Sequence, residues 1–167
     1  GYHDGKLTVL NLNEDGSIGG ITDEIYHKGM GILSERNSRP HICCARMTHD
    51  NKYLLVADPT MDHVKVYRLD HETGKLKMAD VIRCKIESAP RHIKMSKDGR
   101  FVYIVHEWKC FIGVYKYEER DGIPYFDHVQ DIMTTRSNVT QGTTASALSF
   151  SADYQYLLST NSGDNSV

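Results

Sequence analysis

Along the chain, apolar residues alternate with polar ones or gather in short runs bounded by turn signals. Leu7-Thr8-Val9-Leu10, Tyr53-Leu54-Leu55-Val56, Val64-Lys65-Val66-Tyr67, Phe101-Val102-Tyr103-Ile104-Val105, Ile112-Gly113-Val114-Tyr115 and Tyr156-Leu157-Leu158 are strand-length and rich in β-branched and aromatic side chains. Asp-Gly, Asn-Lys and Thr-Gly pairs between the runs supply turns. No segment keeps a period of about 3.6 residues long enough for an amphipathic helix. The pattern predicts an all-β chain.

The pattern also repeats. Met47-Thr48-His49-Asp50-Asn51-Lys52-Tyr53 superposes on Met95-Ser96-Lys97-Asp98-Gly99-Arg100-Phe101 at an offset of 48, and Phe150-Ser151-Ala152-Asp153-Tyr154-Gln155-Tyr156 follows 55 residues later. Each copy reads as a strand end, a tight turn closed by Asp, and a second strand. After the first two copies come third strands, His63–Tyr67 and Phe111–Tyr115, and fourth strands, Lys75–Met78 and Tyr125–His128. Four short strands in about 50 residues, in tandem, is the signature of propeller blades, which are apolar on both faces and must be sandwiched between neighbours. Leu7, Val9 and Leu12 sit where Val64, Val66 and Leu69 do, which makes Gly1 equivalent to Asp58, His106 and Asn161. The chain therefore enters and leaves at nearly the same point of the repeat, after about three periods, with approximate blade parts 1–39, 40–88, 89–143 and 144–167. Three blades do not close a ring, since rings use about four to eight. The expectation is a partial β-propeller whose ring is completed by missing blades or by a second copy. The absence of an initiator Met at Gly1, and a last residue, Val167, that stops one position into a third strand, favour a piece of a longer chain.

Composition narrows the function classes. Twenty Lys and Arg against 22 Asp and Glu leave a net charge of −2 with neutral His, and there is no sustained basic run, so no nucleic-acid footprint is present. A 40% hydrophobic share suits a globular protein, and no stretch approaches the roughly 18 apolar residues of a membrane helix. Four scattered cysteines, Cys43, Cys44, Cys84 and Cys110, form no C-x-x-C pair; they predict buried packing in a reducing compartment, the cytoplasm. His3, His27, His49, His63, His71 and His128 show no metal-ligand spacing, and His92, next to Arg91 on its strand, is expected to point into packing. Neither a metal nor an organic cofactor is expected. No G-x-S-x-G elbow occurs, and Gly29 and Gly31 lie in no strand-to-helix context for a dinucleotide fold. The sequon at Asn138 has no meaning in a cytoplasmic protein.

Several motifs stand in a familiar order: Arg39-Pro40-His41, then Val56-Ala57-Asp58-Pro59-Thr60-Met61-Asp62-His63-Val64, then Ala89-Pro90-Arg91-His92, then Tyr103-Ile104-Val105-His106-Glu107. Together they resemble the middle of the seven-bladed β-propeller lactonase family, which includes the propeller-type 6-phosphogluconolactonases and is similar to a fungal carboxy-muconate cyclase. The resemblance spans essentially the whole chain and about half of a full-length member. It implies a presumed seven blades and hydrolysis of a sugar lactone, 6-phosphogluconolactone first, without metal or organic cofactor. The family pattern has Pro-His-x-His, Asp-Leu-Gly-x-Asp, Gly-Pro-Arg-His, Asn-Glu and Ser-Asn-Arg-Gly segments. Here Cys43 replaces the second His, Thr60 the Gly, His106 the Asn, Ala147 an expected acid and Ser162 the last Arg. These departures keep two alternatives open: a non-catalytic propeller binding a ligand or protein, and a cyclase or isomerase acting on a carboxylated lactone.

By the repeat alignment, His41, Arg91 and Ser146 lie on or beside three consecutive innermost strands, and Glu107 and Ser162 occupy matching loops. Lactone hydrolysis needs an activated water, a stabiliser for the oxyanion and a proton for the leaving alkoxide. Glu107 is the candidate general base, Arg91 the holder of a substrate anion or of the oxyanion, and His41 a proton carrier. Asp58 and Asp62 are expected to order their own loop, and with His106 and Asn161 they are the candidate substrate contacts. The segments 29–39 and 134–142 are expected to rim the funnel.

Overall fold

In the computed structural model, residue 1 and residues 3–31, 39–136 and 142–167 are described. Most of the two expected rim segments, residues 32–38 and 137–141, lies outside the described residues. Those described form strands and turns without a helix: β1 (Lys6–Leu12), β2 (Ile18–Tyr26), β3 (Cys44–Met47), β4 (Tyr53–Asp58), β5 (His63–Leu69), β6 (Leu76–Arg83), β7 (Pro90–Met95), β8 (Phe101–His106), β9 (Phe111–Arg120), β10 (Ile123–Met133), β11 (Thr144–Phe150) and β12 (Leu157–Ser162). Two four-stranded antiparallel sheets, β3-β4-β5-β6 and β7-β8-β9-β10, stand between two-stranded sheets β1-β2 and β11-β12. The fold is a partial propeller with two complete blades flanked by two half-blades. The fourth strands run well past the expected segments, to Arg83 and Met133.

Three copies of one turn close the inner hairpins. In each, a Thr or Ser hydroxyl donates to an Asp two residues on and accepts the amide of the aromatic residue five on. Thr48, Asp50 and Tyr53 do so at 2.5 and 3.0 Å, Ser96, Asp98 and Phe101 at 2.6 and 3.0 Å, and Ser151, Asp153 and Tyr156 at 2.5 and 3.0 Å. The fourth residue of each turn is left-handed: Asn51 at φ 60°, Gly99 at 72° and Tyr154 at 60°. The repeat seen in the sequence is thus a repeat of hydrogen-bond geometry.

Period-2 alternation sends each blade's side chains to both neighbours. Leu55 and Ala57 face the second complete blade, packing with Ile93, Met95, Val102 and Ile104, while Val56 between them turns to Leu7, Ile42 and Tyr67. Val105 likewise faces Ala145 and Leu148, opposite to Ile104. Burying each such Val, Leu, Ile or Met side chain contributes about 1.5–3 kcal/mol. Leu10, Leu12, Ile18 and Ile21 of the first half-blade and Leu158 of the last are exposed, as are Ile123, Val129, Ile132 and Met133 on outer strand β10.

Candidate active site

The first strands of successive blades, β3, β7 and β11, pack side by side on the central side of the fold. Arg91 enters at the start of β7, where the pairing with β8 shifts register between Pro90 and His92. A bulge of this kind turns a side chain out of strict alternation, and Arg91 leans across to Glu107, the residue after β8. Its Nη1 donates to Glu107 Oε2 at 2.7 Å, with the two side chains 39% and 20% exposed. The pair is open enough for solvent and a small ligand to reach.

Glu107 is held by its backbone on both sides. Its amide donates to Ala89 O at 2.9 Å, its carbonyl accepts from Ala145 N at 3.0 Å, and Trp108 N reaches Ser88 O at 3.2 Å. The loop that receives these bonds is itself fastened by Asp62, whose carboxylate accepts the amides of Glu87, Ser88 and Ala89 at 2.7, 3.0 and 2.8 Å. Glu87 and Ala89 both lie at positive φ, 59° and 55°, so the turn is one the chain adopts under constraint.

His41 lies just before β3, half-buried, with Nδ1 2.9 Å from the Thr60 hydroxyl. Burial first, and then the nearby Arg39 charge, lower its pKa, with Asp58 opposing. The ring is neutral at pH 7. Behind it, Asp58 Oδ1 accepts the His41 amide at 3.2 Å, and Oδ2 pairs with His27 Nδ1 at 2.7 Å; His27 Nε2 in turn meets the Tyr67 hydroxyl at 3.0 Å. Between His41 and Arg91, the Cys43 thiol donates to the Arg91 carbonyl at 3.0 Å, and burial pushes its pKa up to about 12. It is a packing group between blades, as the cysteine pattern suggested.

The four expected substrate contacts are engaged within the fold itself. Asp58 and Asp62 spend their carboxylates on His27, His41 and the 87–89 loop, and Asp58 is fully buried. His106 is also fully buried, stacked on Phe111 at 4.1 Å with its Nδ1 2.9 Å from Ser88 Oγ. Asn161 is 4% exposed and ties the end of β10 to the last hairpin: Nδ2 donates to Thr134 O and Ser166 Oγ, both at 3.1 Å, while Oδ1 accepts from Thr134 Oγ1 at 2.6 Å. Ser162 is exposed and Ser146 half-buried at the open hairpin. His92 packs between blades, Nδ1 accepting the Leu148 amide at 3.0 Å. The supports His27, Tyr67, Thr60 and Ser88 were not among the expected residues, and nothing in their spacing marks them.

Among the described residues, no group of three or more His, Cys, Asp and Glu could hold a metal ion. The chemistry present is an arginine–carboxylate pair, suited to binding an anion or oxyanion and accepting a proton, with the His41 imidazole on the preceding blade. Over residues 1–167 the chain matches the model of the family described as lactonase, 7-bladed beta-propeller. The chain belongs to that family. Among relatives, it is 29% identical to the uncharacterized protein SSP0869 of Staphylococcus saprophyticus over 99% of this chain and 47% of that protein. Among solved structures, it is 28% identical to the Pseudomonas aeruginosa periplasmic gluconolactonase PpgL, with a TM-score of 0.84 over 95% of this chain and 44% of that one. It is 26% identical to the "putative 6-phosphogluconolactonase" of Bacteroides fragilis, with a TM-score of 0.80 over 96% and 45%. The chain thus spans about half the length of the proteins it matches.

Proposed function

We propose that the protein hydrolyses a sugar lactone at the Arg91–Glu107 pair, with 6-phosphogluconolactone the favoured substrate. The observation that carries this reading is the 2.7 Å contact between Arg91 Nη1 and Glu107 Oε2 at the mouth of adjacent innermost strands. Arg91 holds the substrate's anionic group or the developing oxyanion; a guanidinium has five N–H donors in a planar fork, and Glu107 takes one at Nη1. Glu107 accepts a proton from water as the water oxygen bonds to the carbonyl carbon. The tetrahedral intermediate then expels the ring oxygen as the C–O bond breaks, and the alkoxide takes the proton back from Glu107, directly or through neutral His41. Lactone and water give the hydroxy acid, with no cofactor in the balance. The family membership and the gluconolactonase named among its structural likenesses support the reaction class.

The ring around the site is completed by further blades or by a second copy. We place the protein in the cytoplasm on its four free thiols; no helix among the described residues is long and apolar enough to cross a membrane. The test is acid release from 6-phosphogluconolactone by the intact protein, measured above the spontaneous rate. Glu107→Gln and Arg91→Ala should each lower turnover by about 100-fold or more. Unchanged turnover in both variants overturns the assignment.

A further inference from the structure

Arg91 stands at a break in an otherwise regular ladder. From His92 to Met95, β7 pairs residue for residue with β8, and Pro90 pairs with His106, but Arg91 has no partner between them. It is the extra residue of a bulge. Such a residue keeps its side chain out of strict alternation only while its own peptide is held in place. One side is held by the preceding residue: Ala89, at φ 55°, donates its amide to Asp62 and accepts the Glu107 amide at its carbonyl. The other side is the Arg91 carbonyl, and there the partner comes from the neighbouring blade.

Cys43 Sγ lies 3.0 Å from the Arg91 carbonyl oxygen, against 3.7 Å from that of Ala57 and 3.8 Å from that of Pro90. A thiol has one proton to donate, and these distances give it to Arg91. Burial pushes the Cys43 pKa up to about 12, so the proton is present at any working pH. The Cys43 backbone is anchored in its own blade, its amide donating to Ala57 O at 3.2 Å. Donor and acceptor thus belong to adjacent blades, and the acceptor is the bulged peptide itself. A thiol is a weak donor, but the lever it acts on is long. The guanidinium sits at the far end of the arginine side chain, so a small rotation of the peptide carries Nη1 further than it carries the carbonyl.

We propose that Cys43 is a positioning residue for Arg91: its thiol holds the bulged peptide, and the bulge aims the guanidinium at Glu107. Nη1 then meets Glu107 Oε2 at 2.7 Å, although Glu107 lies 16 residues on, beyond the end of β8. Cys43 stands where the family pattern has a second His, so a thiol tie at this place is a property of this chain rather than of the pattern. The inference rests on the proposed site, the Arg91–Glu107 pair, and not on the reaction performed there.

The intact protein is compared with Cys43→Ala, which deletes the donor, and Cys43→Ser, which supplies one again. The readout is the side-chain ¹H–¹⁵N signal of Arg91, recognised by its loss in Arg91→Lys; Glu107→Gln gives the position of that signal without the carboxylate. In Cys43→Ala the signal should move toward its Glu107→Gln position, and its exchange with solvent should quicken about threefold or more. Cys43→Ser should reverse both changes. Val66→Ala opens the same core away from the bulge and should lower the unfolding temperature without moving the signal. Cys43→Val, also without a donor, takes the place of Cys43→Ala if that variant does not fold. An Arg91 signal unchanged by loss of the thiol, or moved as far by Cys43→Ser or Val66→Ala, would overturn the proposal and leave Cys43 to packing alone. Turnover of 6-phosphogluconolactone is measured in parallel and should fall about three- to tenfold in Cys43→Ala and recover in Cys43→Ser. No turnover by the native protein would overturn the lactonase reading, while the Arg91 signal still decides this one.

Discussion

Asp62 offers the sharpest perturbation of the fold that carries the site. Asp62→Ala removes the acceptor for three amides at 2.7–3.0 Å. Ser88 and Ala89 are fully buried, so their amides find no water in exchange, whereas half-buried Glu87 can recover one. Two orphaned buried donors cost about 1–3 kcal/mol each, about 2–6 kcal/mol together. Ala at φ 52°, where Asp62 sits, adds of order 1 kcal/mol. Asp62→Asn behaves differently: its carbonyl oxygen can still serve Ser88 and Ala89, while its NH₂ turns toward the Glu87 amide, for a cost of about 1 kcal/mol. The assay is the urea midpoint of the intact protein, with hydrogen exchange at residues 87–89 and turnover measured in parallel. Exchange at these amides should accelerate strongly in the Ala variant and modestly in the Asn variant. Turnover should fall with it, because Ser88 and Ala89 carry the backbone of Trp108 and Glu107. An Ala variant within 1 kcal/mol of the native protein, or an Asn variant as unstable as the Ala one, would refute the reasoning.

Acidification should unfold the protein in a window set partly by His106. Burial lowers its pKa to about 3, with Asp131 opposing and Lys85 and His128 reinforcing. The unfolded chain therefore binds this proton more readily, and stability is lost as pH falls from about 6.5 toward about 3. His106→Gln should flatten that part of the stability–pH curve; an unchanged slope would remove His106 from the account. Cys43 and Cys84, both with pKa values pushed up to about 12 by burial, should resist a thiol reagent at pH 8 until denaturant is added, as counting labelled cysteines by mass will check. Thr60→Val deletes the hydroxyl 2.9 Å from His41 Nδ1 and should lower turnover about two- to tenfold while costing about 1 kcal/mol in the urea midpoint. A turnover equal to that of the native protein would show that the orientation of His41 is immaterial.

The blades were legible because their signals are local. The Thr/Ser-x-Asp turns at 48–50, 96–98 and 151–153 sit next to alternating strands, and period 2 assigns Leu55 and Val56 to opposite faces without knowledge of the neighbours. β2 was harder: Ile18-Gly19-Gly20-Ile21 carries two glycines and a register shift, which blunt the alternation. The Arg91–Glu107 pair was approachable because an arginine on an inner strand and an acid in the next loop are few and spaced by the repeat. What sequence could not divide was the set of acids and imidazoles around them. Asp58 and Asp62 look as available as Glu107 in a string of letters; the difference is that Glu107 keeps a carboxylate at the surface while theirs are consumed by His27, His41 and the 87–89 amides. Those partners lie 17 to 31 residues away, beyond the reach of any local pattern.

One short loop therefore supports both His41 and Glu107. Asp58 closes β4 and backs His41 within its own blade, and Thr60, two residues on, sets the imidazole. Asp62, two further, reaches across to the next blade and fastens the loop on which the Glu107 backbone rests. Residues 58–62 thus link the supports of the imidazole and of the carboxylate, alongside the packed blade interface. A proline at position 59 narrows the backbone freedom of that link. The loop's acids act as structural fasteners: Asp58 holds the His27 ring and the His41 amide, and Asp62 holds the amides of residues 87–89. It also separates two kinds of change in this chain. Cys43 and Thr60, where the family pattern has His and Gly, fall within this support and make hydrogen bonds there. Ala147 and Ser162 fall on the last hairpin, where no charged side chain stands at either position. The two differences in the support leave the Arg91–Glu107 contact in place; under the proposed lactonase reading, the two on the hairpin would bear on substrate choice.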